Sequence, residues 1–345
     1  MELSNIHSKL KPYILDDKLE NYPTSGDGRR KILAYTLLTL ENRRVEEKKI
    51  NIFLIEELEN HLHRSMEIAL SYQIFSDIIF KYLFMTTHSS LLISQMDDVN
   101  LIKLYKEKKV TGKSYIYKVP HDYKMLKQKL NQNLAEAIFA NVVLLVEGPS
   151  EKILFERILK EKCERYESFG GYILEVDGIN FIEYYKVLDA LGIKVIVKTD
   201  NDLKKVKGNK CNLLGINRCQ SLINCNKKNN IKIDSSLYES NIDYVIEKKR
   251  YLYDKLPVTV AKLRRNRIYL SRVDLENDLF EVIPDIMDQL ARESNSSKSA
   301  VDYLQSSKLI NMIKLSKLLE TDGINRIYKD ERFECVKTLV ELCYR

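Results

Sequence analysis

The chain lacks most of the features that would assign it to a class at once. No apolar run approaches the roughly 20 residues that a membrane helix needs. Residues 1–11 are polar, without the apolar stretch of a secretory signal. The six cysteines, Cys163, Cys211, Cys219, Cys225, Cys335 and Cys343, form no C-x-x-C pair, and the loose group Cys211, Cys219, Cys225 has no zinc-site spacing. Reduced thiols and a cytoplasmic location are therefore expected. There is no internal repeat. Nor is there a strong charge imbalance, since Lys and Arg number 56 and Asp and Glu 49, for a net charge of +7. That suits a nucleic-acid partner without demanding one.

What is present is ordinary core-forming material: 44% hydrophobic and 30% charged residues over 345 positions, enough for about two domains. A turn at 23–28 precedes a helix expected over 29–42. Strands are expected at 50–55, 82–85, 101–105 and 115–119, with helices at 63–78, 89–96 and 123–140. From there strand and helix patterns alternate over 142–146, 150–165, 172–176, 180–191 and 194–199, the signature of a parallel sheet. Residues 211–267 are less regular and rich in Asn and Lys, with a polar loop at 224–234 and a charged helix at 241–255. A further strand is expected at 267–273, and short helices around a Ser-rich loop at 294–299 complete the pattern.

Two of these apolar runs end in acids. The run 141–146 ends in Glu147-Gly148-Pro149-Ser150-Glu151, and 194–199 ends in Asp200-Asn201-Asp202. Open α/β sheets carry their sites at the carboxyl ends of the strands. Carboxylates gathered there repel one another unless a cation joins them, and Mg²⁺ accepts a few carboxylate oxygens plus water and phosphate. Pro149 suits a first helical position, which puts Glu151 in the first turn. Asp200 and Asp202 face the same way if the chain stays extended, and Asp274 and Glu276 repeat that spacing after a third strand. An EF-hand beginning at Asp200 fails, because Lys204 and Lys205 stand where an acceptor and a glycine are needed. A Glu after one strand and Asp-x-Asp after a later one resemble a Toprim domain.

A second set of motifs lies upstream. Ile52-Phe53-Leu54-Ile55-Glu56-Glu57 resembles a Walker B strand, in which the first acid supports Mg²⁺ and the second orients water. His88 in Thr87-His88-Ser89 stands where ABC-type ATPases keep a histidine that senses the γ-phosphate. Ser25-Gly26-Asp27-Gly28 opens a helix as an ABC signature loop does. No phosphate-cradling P-loop accompanies them: Gly112-Lys113-Ser114 has Glu107 in place of the first glycine and leads into a strand.

An ABC-type half running into a Toprim domain resembles the OLD-family nucleases (overcoming lysogenization defect), including the endonuclease subunits of Gabija anti-phage systems. The resemblance rests on Tyr22-Pro23-Thr24-Ser25-Gly26-Asp27-Gly28, Leu54-Ile55-Glu56-Glu57, Thr87-His88-Ser89, Glu147-Gly148-Pro149-Ser150-Glu151, Lys198-Thr199-Asp200-Asn201-Asp202, Asp274-Leu275-Glu276-Asn277-Asp278 and Ser307-Lys308-Leu309. It implies an α/β protein: a partial ABC-type ATPase lobe over 1–136, a Toprim domain with a Rossmann-like parallel sheet over 137–282, and a helical extension over 283–345 that completes the site. It implies an endonuclease using two Mg²⁺ or Mn²⁺ ions on double-stranded DNA. Glu147, Glu151, Asp200, Asp202, Asp274 and Glu276 would hold metal, with Glu147, Asp200, Asp202, Asp274 and Lys308 catalytic. Lys308 would stabilise the pentavalent phosphate. Ser25, Gly26, Glu56, Glu57 and His88 would be the remnant of a nucleotide site, served by ATP only if a separate chain supplies the P-loop half. A homo-oligomer and a UvrD-like helicase partner are also implied. Lys204, Lys205, Lys262, Arg264, Arg265 and Arg267 are expected to meet DNA phosphates. The alternative is a truncated or split assembly subunit without catalysis.

Overall fold

The structure is a computed structural model that describes residues 14–15, 21–22, 26–43, 50–96, 99–105, 113–118, 132–176 and 181–344. Its contacts divide the chain into two units, Met1–Val99 and Asn100–Arg345. The expected turn at 23–25, the Glu107 and Gly112 positions and the first part of the helix expected at 123–140 lie outside the described residues.

In the first unit, helix α1 (Asp27–Arg43) precedes β1 (Ile52–Glu56), α2 (Arg64–Ser76), β2 (Tyr82–Thr86) and α3 (Ser90–Gln95). β1 and β2 pair in parallel, with Ile52 opposite Tyr82 and Glu56 opposite Thr86. Alternation along β1 buries Phe53 and Ile55, while Ile52 and Leu54 remain 62% and 79% exposed. This is the period of two expected of a strand with one covered face. Gly28 is required where α1 meets the following loop, because a Cβ there would stand 2.5 Å from the His61 carbonyl oxygen.

The second unit opens with an antiparallel hairpin, β3 (Asn100–Tyr105) and β4 (Lys113–Lys118), and the short helix α4 (Gln132–Ala137). It continues as β5 (Val142–Val146), α5 (Pro149–Lys162), β6 (Gly171–Glu175), α6 (Phe181–Ala190) and β7 (Lys194–Thr199). Three short strands follow, β8 (Lys204–Val206), β9 (Lys210–Asn212) and, after helix α7 (Leu214–Leu222), β10 (Ile231–Lys232). They form a small antiparallel sheet. Helices α8 (Ser235–Ser240), α9 (Ile242–Lys255) and α10 (Pro257–Arg265) lead to β11 (Ile268–Leu270). The main sheet has the order β11-β7-β5-β6 and is parallel throughout.

All five β5 side chains are fully buried, which is why the run reads as continuously apolar and not alternating. Each contributes about 1.5–3 kcal/mol relative to exposure. The segment 211–267, expected to be less regular, holds the expected charged helix as α9 and, in addition, the helices α7, α8 and α10. α7 follows the spacing Leu213, Ile216, Cys219, all buried, with Leu222 behind them. Its polar neighbours mask that stripe in a composition reading.

The remaining helices are α11 (Leu275–Val282), α12 (Pro284–Glu293), α13 (Ala300–Ser306), α14 (Lys308–Leu318), α15 (Thr321–Lys329) and α16 (Glu334–Cys343). They are not an appendage. α16 packs on β5 and β7, and α14 packs on α5. Met312, Leu315, Val336 and Leu339 share one buried cluster with Val142, Leu144 and Phe155. Arg157 of α5 clamps the far end of α14, donating to the carbonyls of Ser316 at 3.2 Å and Leu319 at 2.6 Å.

Candidate active site

β5 and β7 are adjacent and parallel, with Leu145 opposite Val197, so Glu147 and Asp200 emerge side by side. Glu147 Oε1 accepts from Thr199 Oγ1 at 2.6 Å, from the Asp200 backbone N–H at 2.9 Å and from Arg218 Nη1 at 2.6 Å. Those bonds fix the carboxylate across the strand ends. α7 reaches the same loop because residue 215 is glycine: a Cβ there would lie 2.2 Å from the Asp200 carbonyl oxygen and 2.7 Å from the Asp202 nitrogen. The Gly215 N–H donates to Asp202 O at 3.0 Å.

Pro149 stands at the start of α5 and Glu151 in its first turn. Burial pushes the Glu151 carboxyl up to about 7, aided by the charges of Glu147 and Glu276 and opposed by its backbone hydrogen bond and by Lys308. Burial also raises Asp200 well above the usual carboxylate range, and Glu147, Glu151, Asp274 and Glu276 push it further. Carboxylates from three strand ends therefore share one electrostatic neighbourhood.

Asp274 and Glu276 do not lie on an extended stretch, as their spacing predicts. Asp274 caps α11, with its Oδ1 accepting from the Asn277 N–H at 2.9 Å and from Asn277 Nδ2 at 2.8 Å, and Glu276 lies in the first turn of that helix. A capping aspartate ends the strand because its side chain satisfies the orphan helix donors. Glu276 is 1% exposed; its Oε1 lies 3.0 Å from Lys308 Nζ, and its Oε2 is buried without a hydrogen-bond partner. Burial works against the Lys308 ammonium, but Glu276, Asp200 and Asp274 outweigh it and raise it above the ordinary lysine value. The residue expected from the extension does reach the acids, at the start of α14.

Hard oxygen donors around an unsatisfied buried carboxylate oxygen fit a divalent cation in chemistry and charge. Among the described residues no three acidic, His or Cys side chains are already drawn together as a ready ligand set. Arg218 and Lys308 engage Glu147, Asp202 and Glu276 instead.

Arg218, Asn201, Lys198 and Asp278 take roles here that the sequence does not assign to them, whereas Lys249 belongs to the basic run Lys248-Lys249-Arg250, which suits DNA phosphates on sequence alone. Arg218 is 6% exposed and donates to Glu147, to Thr199 Oγ1 and, through Nη2, to Asp202 Oδ2 at 3.1 Å. Lys249 Nζ of α9 stands 3.8 Å from Asp202. Asn201 is fully buried and donates to the carbonyls of Lys249 and Arg272 at 3.0 and 3.1 Å, which fixes the turn between the two aspartates. Behind it, Lys198 and Asp278 form a buried pair at 3.6 Å, 2% and 1% exposed. Lys198 also donates to Arg332 O at 3.1 Å, tying β7 to the C-terminal helices. A lysine closing an apolar strand was the available signal, because it needs a buried partner.

The basic residues divide. Lys204 is exposed beside the aspartates, and Lys205 pairs with Glu239. Lys262, Arg264 and Arg265 lie in the last turn of α10, just before β11 begins, and so at the opposite end of the sheet from the acids. Lys262 contacts Cys225 Sγ, Arg264 pairs with Glu331 at 2.8 Å, and Arg267 donates to Val195 O at 3.2 Å. Besides Arg218 of α7 and Lys308 of α14, Lys249 of α9 reaches the acids.

In the first unit, Glu56 is exposed at the end of β1 and Gly26 precedes α1. Ser25 lies outside the described residues. Glu57 has φ 44° and donates its N–H to Thr86 O at 3.0 Å, bringing the acids beside the segment that carries His88. The organising acid is Glu59, whose Oε1 accepts from Thr87 Oγ1 at 2.9 Å and the His88 N–H at 2.6 Å. Lys31 of α1 donates to Glu57 O at 2.8 Å.

Residues 138–202 match the family described as "Overcoming lysogenization defect protein-like, TOPRIM domain". The chain is 43% identical over 346 residues to the protein named "Endonuclease GajA" of Bacillus cereus (strain VD045), covering 99% of this chain and 59% of that protein. A second "Endonuclease GajA", from Bacillus cereus (strain HuB5-5), is 20% identical over 52% of this chain and 30% of its own length. The chain thus spans less than two thirds of the length of either relative. Among solved structures, the C-terminal region of the Burkholderia pseudomallei OLD protein is 19% identical over 59% of this chain and 88% of its own, with a TM-score of 0.32. The chain is thus similar to an Endonuclease GajA over nearly all of its own length, and its residues 138–202 are similar to the OLD-like Toprim domain.

Proposed function

We propose that this chain is a Mg²⁺- or Mn²⁺-dependent DNA endonuclease that nicks or cleaves double-stranded DNA at the ends of β5 and β7, as part of a Gabija-like anti-phage system. The observation that carries the reading is the convergence of Glu147, Glu151, Asp200, Asp274 and Glu276 on one neighbourhood with Lys308 beside them. A bound divalent ion supplies Lewis-acid charge and a water acidified for attack. Lys308 is the fixed positive charge that meets charge developing on the phosphate oxygens. Asp274, held by Asn277 and Gln305, is preorganised and not free to swing. Lys204 and Lys249 flank the acids and would hold flanking phosphates.

The domain division 1–136, 137–282 and 283–345 is part of the same proposal. So are nucleotide control through Glu56, Glu57 and His88, with ATP completed in trans, and a homo-oligomeric assembly that works with a helicase-like partner. One observation favours the second reading, an assembly role for the first unit: Ile52, Leu54 and Phe84, at 62%, 79% and 64% exposure, present an uncovered apolar sheet face. Incubating purified chain with supercoiled plasmid and Mg²⁺ or Mn²⁺ tests the nuclease directly. Wild type should nick and Glu147→Ala should not; equal nicking by both defeats the reading.

A further inference from the structure

Helix α9 carries a stripe that the acidic site does not use. Tyr244, Lys248, Tyr251 and Lys255 follow the spacing i, i+4, i+7 and i+11, so ring and cation alternate along one line of the helix and no acid interrupts it. Lys248 Nζ lies 5.5 Å from the Tyr244 ring and 5.9 Å from the Tyr251 ring, and Lys255 Nζ lies 5.5 Å from the Tyr251 ring. Tyr251 is 55% exposed. Among the described residues the salt bridges of α9 run through Lys249, Arg250 and Asp254, and none engages Lys248 or Lys255.

The helix is held beside the acids. Asn201 Nδ2, between the two site aspartates, donates to the Lys249 carbonyl at 3.0 Å. Asp254 pairs at 2.7 Å with Arg272, which lies just before Asp274, and Arg250 pairs with Glu281 of α11 at 3.1 Å. Leu252 is buried, while Tyr251 and Lys255 remain exposed. α9 is thus clamped to both acid-bearing loops with its stripe open. In paired DNA the bases are stacked on one another and the grooves offer only their edges, so a tyrosine ring has no base face to meet. An unpaired base offers that face. A base seated on Tyr251 releases Lys248 and Lys255, whose cation–π contacts are weak at exposed positions, to meet the adjoining phosphates.

We propose that the Tyr244–Lys255 stripe of α9 binds unpaired bases of DNA next to the acidic centre, so that the chain engages a locally opened duplex in preference to a fully paired one. The proposal rests on the nuclease reading above for its partner, DNA, and deepens it by naming the form of the substrate. Tyr251 is the stacking residue, and Lys248 and Lys255 hold the backbone on either side of it.

Fluorescence anisotropy of the full chain under chelation, with a labelled paired duplex and with the same duplex carrying a short central bubble of mismatched bases, tests the proposal. Wild type should bind the bubble at least ~10-fold more tightly. Tyr251→Leu, which keeps apolar bulk at an exposed position, should lose that preference and leave paired-duplex binding within ~2-fold, whereas Tyr251→Phe should keep it. Lys248→Gln should weaken both DNAs and lower the slope of log binding constant against log salt by ~1. Equal affinity of wild type for the two DNAs, a bubble preference that survives in Tyr251→Leu, or its loss in Tyr251→Phe overturns the proposal. Plasmid nicking by a chain without bubble preference leaves the nuclease reading standing, and a bubble preference that depends on Tyr251 in a chain that does not nick defeats only the nuclease reading. Binding to neither DNA together with no nicking overturns both.

Discussion

β1 and β5 are alike in sequence: each is a short apolar strand in a parallel pair, and each leads to a glutamate, Glu56 as the last residue of β1 and Glu147 just after β5. Their surroundings differ. β5 is buried on both faces and flanked by β6 and β7, whereas among the described residues β1 pairs with β2 alone and exposes Ile52 and Leu54. Glu56 ends in the open; Glu147 is held by a hydroxyl, a backbone N–H and a guanidinium. A strand-end acid becomes a charged site only where neighbouring strands bring further acids and the core excludes water from them. A motif alone does not confer that.

The comparison can be broken at several points. The largest effect is expected at the acids: Glu147→Ala or Lys308→Ala should lower plasmid nicking by ~10²–10³-fold or more, the scale of losing a preorganised charge. Initial rates on supercoiled DNA measure it. The core comes next. Leu144→Ala should cost ~2–5 kcal/mol in urea unfolding, since the residue is fully buried, while Leu54→Ala at 79% exposure should stay within ~0.5 kcal/mol. Equal costs would mean that β1 is covered in solution.

How much of this was legible follows from the same contrast. The acids at 147, 200 and 202 stood out because each directly follows a buried strand, where the apolar run makes the change of chemistry abrupt. Asp274 and Glu276 were found, but their local structure was misread, because alternate spacing suits a strand as well as a cap followed by a helical turn. The Asp274-to-Asn277 spacing carried the capping signal. Lys308 was visible only through the family resemblance, since a lysine opening a helix carries no mark of its target 32 residues upstream. Arg218 had no local signal at all; its role exists only because Gly215 lets α7 approach the Asp-x-Asp loop.

The pH dependence sharpens the electrostatic side. Glu151 is raised from an ordinary carboxylate value to about 7 and Asp200 is raised as well, so the folded, metal-free chain binds protons more strongly than the unfolded one. That contribution to stability is fully present below the unfolded value of ~4.3 and is lost as pH rises through about 7. Under chelation the melting temperature should therefore fall between pH 5.5 and 8 by a few degrees, and Mn²⁺ should reduce the fall. A rise over that window would contradict the buried cluster. The smallest effect concerns DNA. Lys249→Ala should reduce the slope of log binding constant against log salt by ~1, and Arg267→Ala, at the far end of the sheet, should leave it unchanged.

The central claim is that the β5 and β7 strand ends form the nuclease centre. The most direct test is nicking of supercoiled plasmid by wild type and by Glu147→Gln, which removes charge while keeping shape, with Mn²⁺ and with chelator. The account predicts nicking by wild type with Mn²⁺ alone and none by the variant. Undiminished nicking by folded Glu147→Gln, or by wild type under chelation, would contradict it.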